Sequence, residues 1–257
     1  MEAIPKVTHQ IWFQGWKNLP EKYNKNVQSL RILNENWDHM TWDEQSLRTE
    51  CEKFSSEALA KFDGFQHMMR KIVFGRYVVL YNYGGISIDC DAECLRPLDK
   101  IPGINTESLI ISKSPFGFED SISLRGINKG LIMFNCATIA CTKEHPIMKQ
   151  FIEFLIQNES CDPDPQFEEQ IQTGPLVTSV FFNNFLDEIS ILDTEIIEPL
   201  GRVTKRTVLN HKYELSWVHP AFRFLKEPYF FIRENLIVVL LTIIILQSIV
   251  LGLKLKG

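Results

Sequence analysis

Residues 86–94 read ISIDCDAEC, in which Ile86, Ile88, Cys90, Ala92 and Cys94 alternate strictly with Ser87, Asp89, Asp91 and Glu93. A period of two marks a β-strand with one apolar and one polar face. The pattern therefore predicts a strand that projects Asp89 and Asp91 from one side, joined by Glu93 if the strand runs on. Gly84-Gly85 stands just before it and ends a helical pattern over 66–83. Helix, glycine turn and strand in succession are the units of an α/β fold, and the rest of the chain keeps to that alternation. Strands are expected over 7–13 and 37–42, a helix over 20–34, and one or two short helices over 43–63. Apolar runs follow at 108–112, 131–134 and 137–140, and helical patterns begin at Pro146 and Pro175. Residues 160–165 (SCDPDP) read as a loop.

No internal repeat or low-complexity segment is present, and 257 residues with 45% hydrophobic content suffice for one sizeable core. A net charge of -5 without a long basic run gives a nucleic-acid partner no electrostatic support. The six cysteines (Cys51, Cys90, Cys94, Cys136, Cys141 and Cys161) form no CxxC pair and read as reduced core residues. Walker-type GxxxxGK, GxGxxG, HExxH and GxSxG patterns are absent.

Two carboxylates stacked on one strand face repel, and a divalent cation is the usual remedy. Mg²⁺ or Mn²⁺ held there could bridge the two phosphates of a nucleotide sugar and stabilise the departing diphosphate. Spacing alone does not decide this, because Asp162-Pro163-Asp164 has the same spacing in a loop. Two neighbouring features add weight. On the helix over 66–83, Arg76 shares a face with Met69, Ile72, Val79, Leu80 and Tyr83, while Phe74 and Val78 make the opposite side apolar too. A buried guanidinium needs an anionic partner, either a structural carboxylate or a ligand. Gly84-Gly85 permits a sharp turn and a close approach of backbone to a ligand, or serves as a plain helix cap.

Together, Arg76-Tyr77, Leu80-Tyr81, Gly84-Gly85-Ile86 and Asp89-Cys90-Asp91 resemble the core of the DXD-containing glycosyltransferases. The likeness is to the initiating α-1,6-mannosyltransferases and inositol-phosphoceramide mannosyltransferases (family 32-like), and more distantly to the glucosylating toxins. Ser87 stands where that core usually has Tyr. The likeness runs in order over residues 4–219, through Ile4-Pro5-Lys6-Val7-Thr8-His9-Gln10-Ile11-Trp12, Asn135, His145-Pro146, Thr173-Gly174-Pro175 with Thr178, and His211 to Ser216-Trp217.

The resemblance implies a GT-A-like fold, a Rossmann-related mixed sheet flanked by helices, over residues 1–222. It implies transfer, with retained anomeric configuration, of a hexose from a GDP- or UDP-sugar to a hydroxyl of a glycan or lipid acceptor, assisted by Mn²⁺ or Mg²⁺. Trp12 would stack on the nucleobase, Asp89 would contact ribose or sugar, and Asp91 would be the chief metal ligand, with Asp89 and His211 beside it. Arg76 would reach the sugar or diphosphate. Gly84, Gly85, Asn135, Gly174 and Pro175 would shape the donor site, and His211, Ser216 and Trp217 would lie on a loop closing over it. Val73 departs from the pattern, since relatives usually carry Asp three residues before this Arg. That departure motivates a second reading, a nucleotide-sugar-binding module with weakened or absent turnover. A haloacid-dehalogenase-like hydrolase is disfavoured, because it calls for Thr or Val where Glu93 stands.

Residues 236–253 (LIVVLLTIIILQSIVLGL) carry no charge. As a helix they would span roughly 27 Å, close to the apolar thickness of a bilayer. Arg233, Glu234, Lys254 and Lys256 bound the run, and Tyr229, Phe230 and Phe231 stand where an interfacial aromatic belt would be. The expectation is a single-pass C-terminal anchor joined by a juxtamembrane segment over 223–235. With no apolar signal near Met1, insertion would be tail-first and the large domain cytosol-facing, although the resemblance also allows the ER or Golgi.

Overall fold

A computed structural model of the protein describes residues 3–115, 130–159, 172–200 and 202–214. The chain divides into two compact units, Met1–Tyr213 and Glu214–Gly257, and only Glu214 of the second is described.

In the first unit a six-stranded mixed sheet has the order β2-β1-β3-β6-β5-β7. Its strands are β1 (Val7–Ile11), β2 (Asp38–Trp42), β3 (Gly85–Ser87), β5 (Leu109–Lys113), β6 (Phe134–Cys141) and β7 (Ser190–Leu192). β1 runs parallel to both β2 and β3, β6 is antiparallel to β3 and β5, and β7 is parallel to β5. A two-stranded antiparallel ribbon pairs β4 (Ala92–Cys94) with β8 (Leu209–His211). The helices are α1 (Glu21–Leu33), α2 (Glu44–Phe54), α3 (Ser56–Gly64), α4 (Met68–Tyr83), α5 (Pro146–Gln157), α6 (Pro175–Phe182) and α7 (Thr194–Ile197).

Both faces of the sheet are covered, which is why its inner strands are apolar at consecutive positions. Leu109, Ile111, Ile139 and Cys141 point into one core with Tyr77, Val78, Phe151 and Phe182, contributed by α4, α5 and α6. The intervening Ile110 and Ala140 point the other way, into a second core with Leu30, Ile86, Ile88, Ile197 and Leu209. α4 is buried continuously from Val73 to Leu80, and Gly75 lets Leu47 of α2 lie against it, where a Cβ would meet the leucine at 3.1 Å.

On β1 the polar side chain of His9 is satisfied internally. His9 is buried, with Nε2 2.7 Å from the Gly84 carbonyl and Nδ1 accepting from Trp42 Nε1 at 3.1 Å. Those partners fix the proton on Nε2. Burial lowers its pKa to about 4, with the Gly84 hydrogen bond opposing. The imidazole is therefore neutral and structural.

The sequence expectations need four corrections. The strand expected over 86–94 is interrupted at Asp89–Asp91, so that β3 and β4 belong to different sheets. Glu93 accordingly leaves the acidic pair and binds Lys25 at 3.0 Å and Lys212 at 2.8 Å. The apolar runs at 131–134 and 137–140 meet in the single strand β6. Finally, no helix among the described residues is long and apolar enough to cross a membrane. The anchor expected at 236–253 lies outside the described residues. Among the described residues nothing supports the expected transmembrane helix, or the membrane partner and localisation that depend on it.

Candidate functional site

The site forms where the parallel strands β1 and β3 end, the edge at which α/β sheets receive ligands. After β3, Ile88 N–H donates to the His9 carbonyl at 3.0 Å, and the chain turns with Ala92 N–H on the Asp89 carbonyl at 3.0 Å. The turn carries both aspartates. β4 then pairs with β8 so that Ala92 lies opposite His211, and Lys212 N–H closes the ribbon on the Asp91 carbonyl at 3.1 Å. This pairing delivers a residue 120 positions away to the acidic turn. His211 Nε2 is 3.0 Å from Asp91 Oδ1 and 3.8 Å from Asp89 Oδ2. One ligand atom from each of Asp89, Asp91 and His211 can be chosen so that all lie within 4.8 Å of one another. Two carboxylate oxygens and an imidazole nitrogen could hold a divalent cation. The donor set fits, because Nε2 already sits between the oxygens.

Arg76 reaches the same turn from α4. It is 3% exposed. Its Nη2 pairs with Asp89 Oδ1, and Nη1 donates to the Cys136 carbonyl of β6 at 2.6 Å. The partner demanded by a buried guanidinium is thus Asp89, whose side chain keeps 31% exposure toward the site. Arg76→Met should leave that carboxylate unpaired and cost about 3 kcal/mol, the low end for breaking a buried pair. Urea unfolding of the single variants and of Arg76→Met/Asp89→Asn checks this, with the double variant expected to lose less than the sum.

Behind His211 lies a fully polar cluster in an apolar setting. The Tyr213 ring stacks on the imidazole with centroids 4.1 Å apart and 29° between planes. Tyr213 OH and Asn135 Nδ2 both donate to Glu198 Oε2, and Asn135 Oδ1 accepts from Ala137 N–H at 2.8 Å. Burial raises the Glu198 carboxyl to about 7 against the lowering effects of the His211 charge and the Tyr213 and Asn135 hydrogen bonds. Burial also penalises charged His211, but Asp91, through its charge and hydrogen bond, together with Glu198 and Asp89, outweighs it and raises the imidazole to about 9.

Both groups bind protons more tightly folded than unfolded, so their stabilising contribution is present at low pH and disappears as pH rises through the folded values. Metal-free protein should therefore lose stability between about pH 4.5 and 9, most clearly above 6.5 where His211 contributes. Melting in EDTA across that range checks it, with His211→Gln expected to flatten the upper part.

The other expected residues are dispersed over the fold. Trp12 follows β1 at the same sheet edge, its ring 5.3 Å from that of Tyr23, and its buried Nε1 has no partner among the described residues. Thr173-Gly174-Pro175 opens α6 and is tied to α4 by Tyr77, whose OH donates to the Thr173 carbonyl at 2.9 Å and lies 3.1 Å from Thr178 Oγ1. Gly84 and Gly85, by contrast, lie at the opposite end of β3 from Asp89 and meet the protein's own backbone at Lys143 and Val7. His145 caps α5, with Nδ1 accepting from Ile147 N–H at 3.2 Å. Val73 is buried in the core beside α2. Ser216 and Trp217 lie outside the described residues. Glu198 and Tyr213 carry no expectation from the sequence, though one carboxylate within Ile196-Ile197-Glu198-Pro199-Leu200 is the same cue that marked Arg76.

Residues 20–108 match the family described as "Glycosyltransferase sugar-binding region containing DXD motif". That span ends after the acidic turn and includes Arg76, Asp89 and Asp91. This part of the chain is thus similar to the DXD-containing glycosyltransferases. Inositol phosphoceramide mannosyltransferase 1 of Schizosaccharomyces pombe is 28% identical over 159 residues, 60% of this chain and 44% of the relative. Inositol phosphoceramide mannosyltransferase 3 of the same organism is 26% identical over 181 residues, 70% of this chain and 45% of the relative. The chain thus spans less than half the length of these two curated relatives. A protein of Acanthamoeba polyphaga mimivirus, described as an uncharacterized glycosyltransferase, is 24% identical over 199 residues, covering 76% of this chain and 73% of its own. Among solved structures, PaToxG Glycosyltransferase shares the fold at 16% identity and a TM-score of 0.50, covering 72% of this chain and 71% of its own. Relationship to the fungal mannosyltransferases is distant.

Proposed function

We propose that this chain transfers a hexose, mannose foremost, from a GDP- or UDP-sugar to a hydroxyl of a glycan or lipid headgroup. The observation that carries the reading is the convergence of Asp89, Asp91, His211 and Arg76 at the ends of the parallel strands. The names of the fungal relatives favour mannose and an inositol-containing acceptor. A divalent cation, Mn²⁺ or Mg²⁺, bound by Asp91, Asp89 and His211 would neutralise the diphosphate of the donor and its developing charge on departure.

The residues of the chain do the rest. Trp12 offers a flat face at the same edge for the nucleobase. Arg76 holds Asp89 in place on one oxygen, leaving the other for ribose or sugar. The loop at Gly174 and Pro175 borders the donor, with Asn135 behind it. Retention of configuration follows if the leaving diphosphate itself takes the proton of the incoming hydroxyl.

Labelled GDP-mannose and UDP-glucose, incubated with the full chain, Mn²⁺ and either mannoside or inositol-phosphate acceptors, test this reading. The expected product is α-linked from an α-linked donor; a β-linked product would refute retention. A second reading, donor binding without turnover, rests on Val73, whose apolar side chain lines the core where relatives usually place a carboxylate. Tight donor binding with no product from any acceptor would select it.

A further inference from the structure

For His211 to bind a metal through Nε2, its proton must sit on Nδ1, and a buried N–H needs an acceptor. Nδ1 of His211 is buried and has no hydrogen-bond partner among the described residues. Glu198 has the complementary deficit. Its Oε2 accepts from both Tyr213 and Asn135, whereas its buried Oε1 has no partner. The two side chains are linked through one residue, since Tyr213 is hydrogen-bonded to Glu198 and stacked on the His211 ring. Glu198 is fully buried and His211 is 8% exposed. A carboxylate with one committed and one unsatisfied oxygen is thus within electrostatic reach of an imidazole with one committed and one unsatisfied nitrogen.

We propose that Glu198 is a positioning residue that accepts, directly or through one water, the Nδ1 proton of His211 and so holds Nε2 free to bind the metal. The inference rests on the reading of Asp89, Asp91 and His211 as a metal site. It differs from a merely structural role for Glu198 in one consequence. In Glu198→Gln the side-chain oxygen still accepts from Tyr213 and Asn135, so the cluster keeps its shape. The amide NH₂ then faces Nδ1 as a donor and selects the wrong tautomer, with the proton on Nε2 where the metal must bind.

Direct titration of the full chain with Mn²⁺ alone, followed by the electron paramagnetic resonance of free Mn²⁺, separates the possibilities. Glu198→Gln should bind about 10- to 100-fold more weakly than wild type, while its melting temperature in EDTA stays close to that of wild type. Glu198→Asp, which restores the charge at shorter reach, should recover part of the affinity, and it serves as the test if the Gln variant does not fold. Nitrogen-15 spectra of the imidazoles with Mg²⁺ should place the His211 proton on Nδ1 in wild type and on Nε2 in the Gln variant. Wild-type Mn²⁺ affinity in both Glu198 variants, with affinity lost in Asp91→Asn, would overturn this inference and leave the metal site standing. Equal Mn²⁺ binding by wild type and Asp91→Asn would instead remove the metal site itself.

Discussion

Gly85→Ala is expected to unfold at a much lower urea concentration than the wild-type chain. Gly85 has φ +96°, a conformation that L side chains rarely adopt. That strain alone costs roughly 1–3 kcal/mol. In addition, a Cβ there would fall inside the contact distance of the Val7 carbonyl oxygen, and backbone cannot swing away as a side chain can. Relief requires β3 to move off β1, and β3 is the strand that leads into Asp89. Together the two effects should exceed about 4 kcal/mol, a rare size for one substitution, out of a total stability of roughly 5–15 kcal/mol. Gly64→Ala is the control, because a Cβ on Gly64 meets nothing within 4 Å. It should be neutral or stabilise by up to about 1 kcal/mol. Circular dichroism and urea titration of both variants check this. A Gly85→Ala protein melting within a few degrees of wild type would mean that β1 and β3 do not pair as described.

Asp91→Asn should lower nucleotide-sugar turnover by about 10³-fold or more, equivalent to roughly 4 kcal/mol of transition-state stabilisation. The substitution keeps size and turn geometry but removes the charge nearest His211 Nε2, at 3.0 Å. It should also lower the pKa of His211, since the charge of Asp91 is the largest influence raising it. Metal-free stability above pH 6.5 should then vary less with pH than in wild type. A loss of turnover with unchanged Mn²⁺ affinity would place Asp91 in sugar binding and not in metal binding.

How much of this was legible in the sequence depended on the range of the interaction. Periodicity placed α4 and marked Arg76 as a cation on an apolar face, and its partner proved to be Asp89. The same periodicity misread residues 86–94, because alternation reports which side a residue faces and not which sheet receives it. A turn at Asp89–Asp91 preserves the alternation while moving the chain from the large sheet to the ribbon with β8. Consequently Glu93 was grouped with the aspartates although its partners are Lys25 and Lys212. Gly84-Gly85 was legible as a tight approach, and the backbone it approaches is that of Val7 and Lys143. His211 entered only through the family resemblance, since β8 is three residues long and carries no periodic signal. The Glu198, Tyr213 and Asn135 cluster joins three distant segments, and no local pattern could announce it. The anchor expectation at 236–253 rests on an uncharged run with charged bounds and upstream aromatics, and no described helix has the length and apolarity of a membrane span.

Donor hydrolysis by the full chain tests whether the acidic turn carries metal-dependent nucleotide-sugar chemistry. GDP- and UDP-hexoses would be screened with Mn²⁺, with EDTA, and beside Asp91→Asn. Release of one nucleotide in Mn²⁺ only, lost in EDTA and in the variant, is the expected result. Turnover that persists undiminished in EDTA and in Asp91→Asn would contradict it.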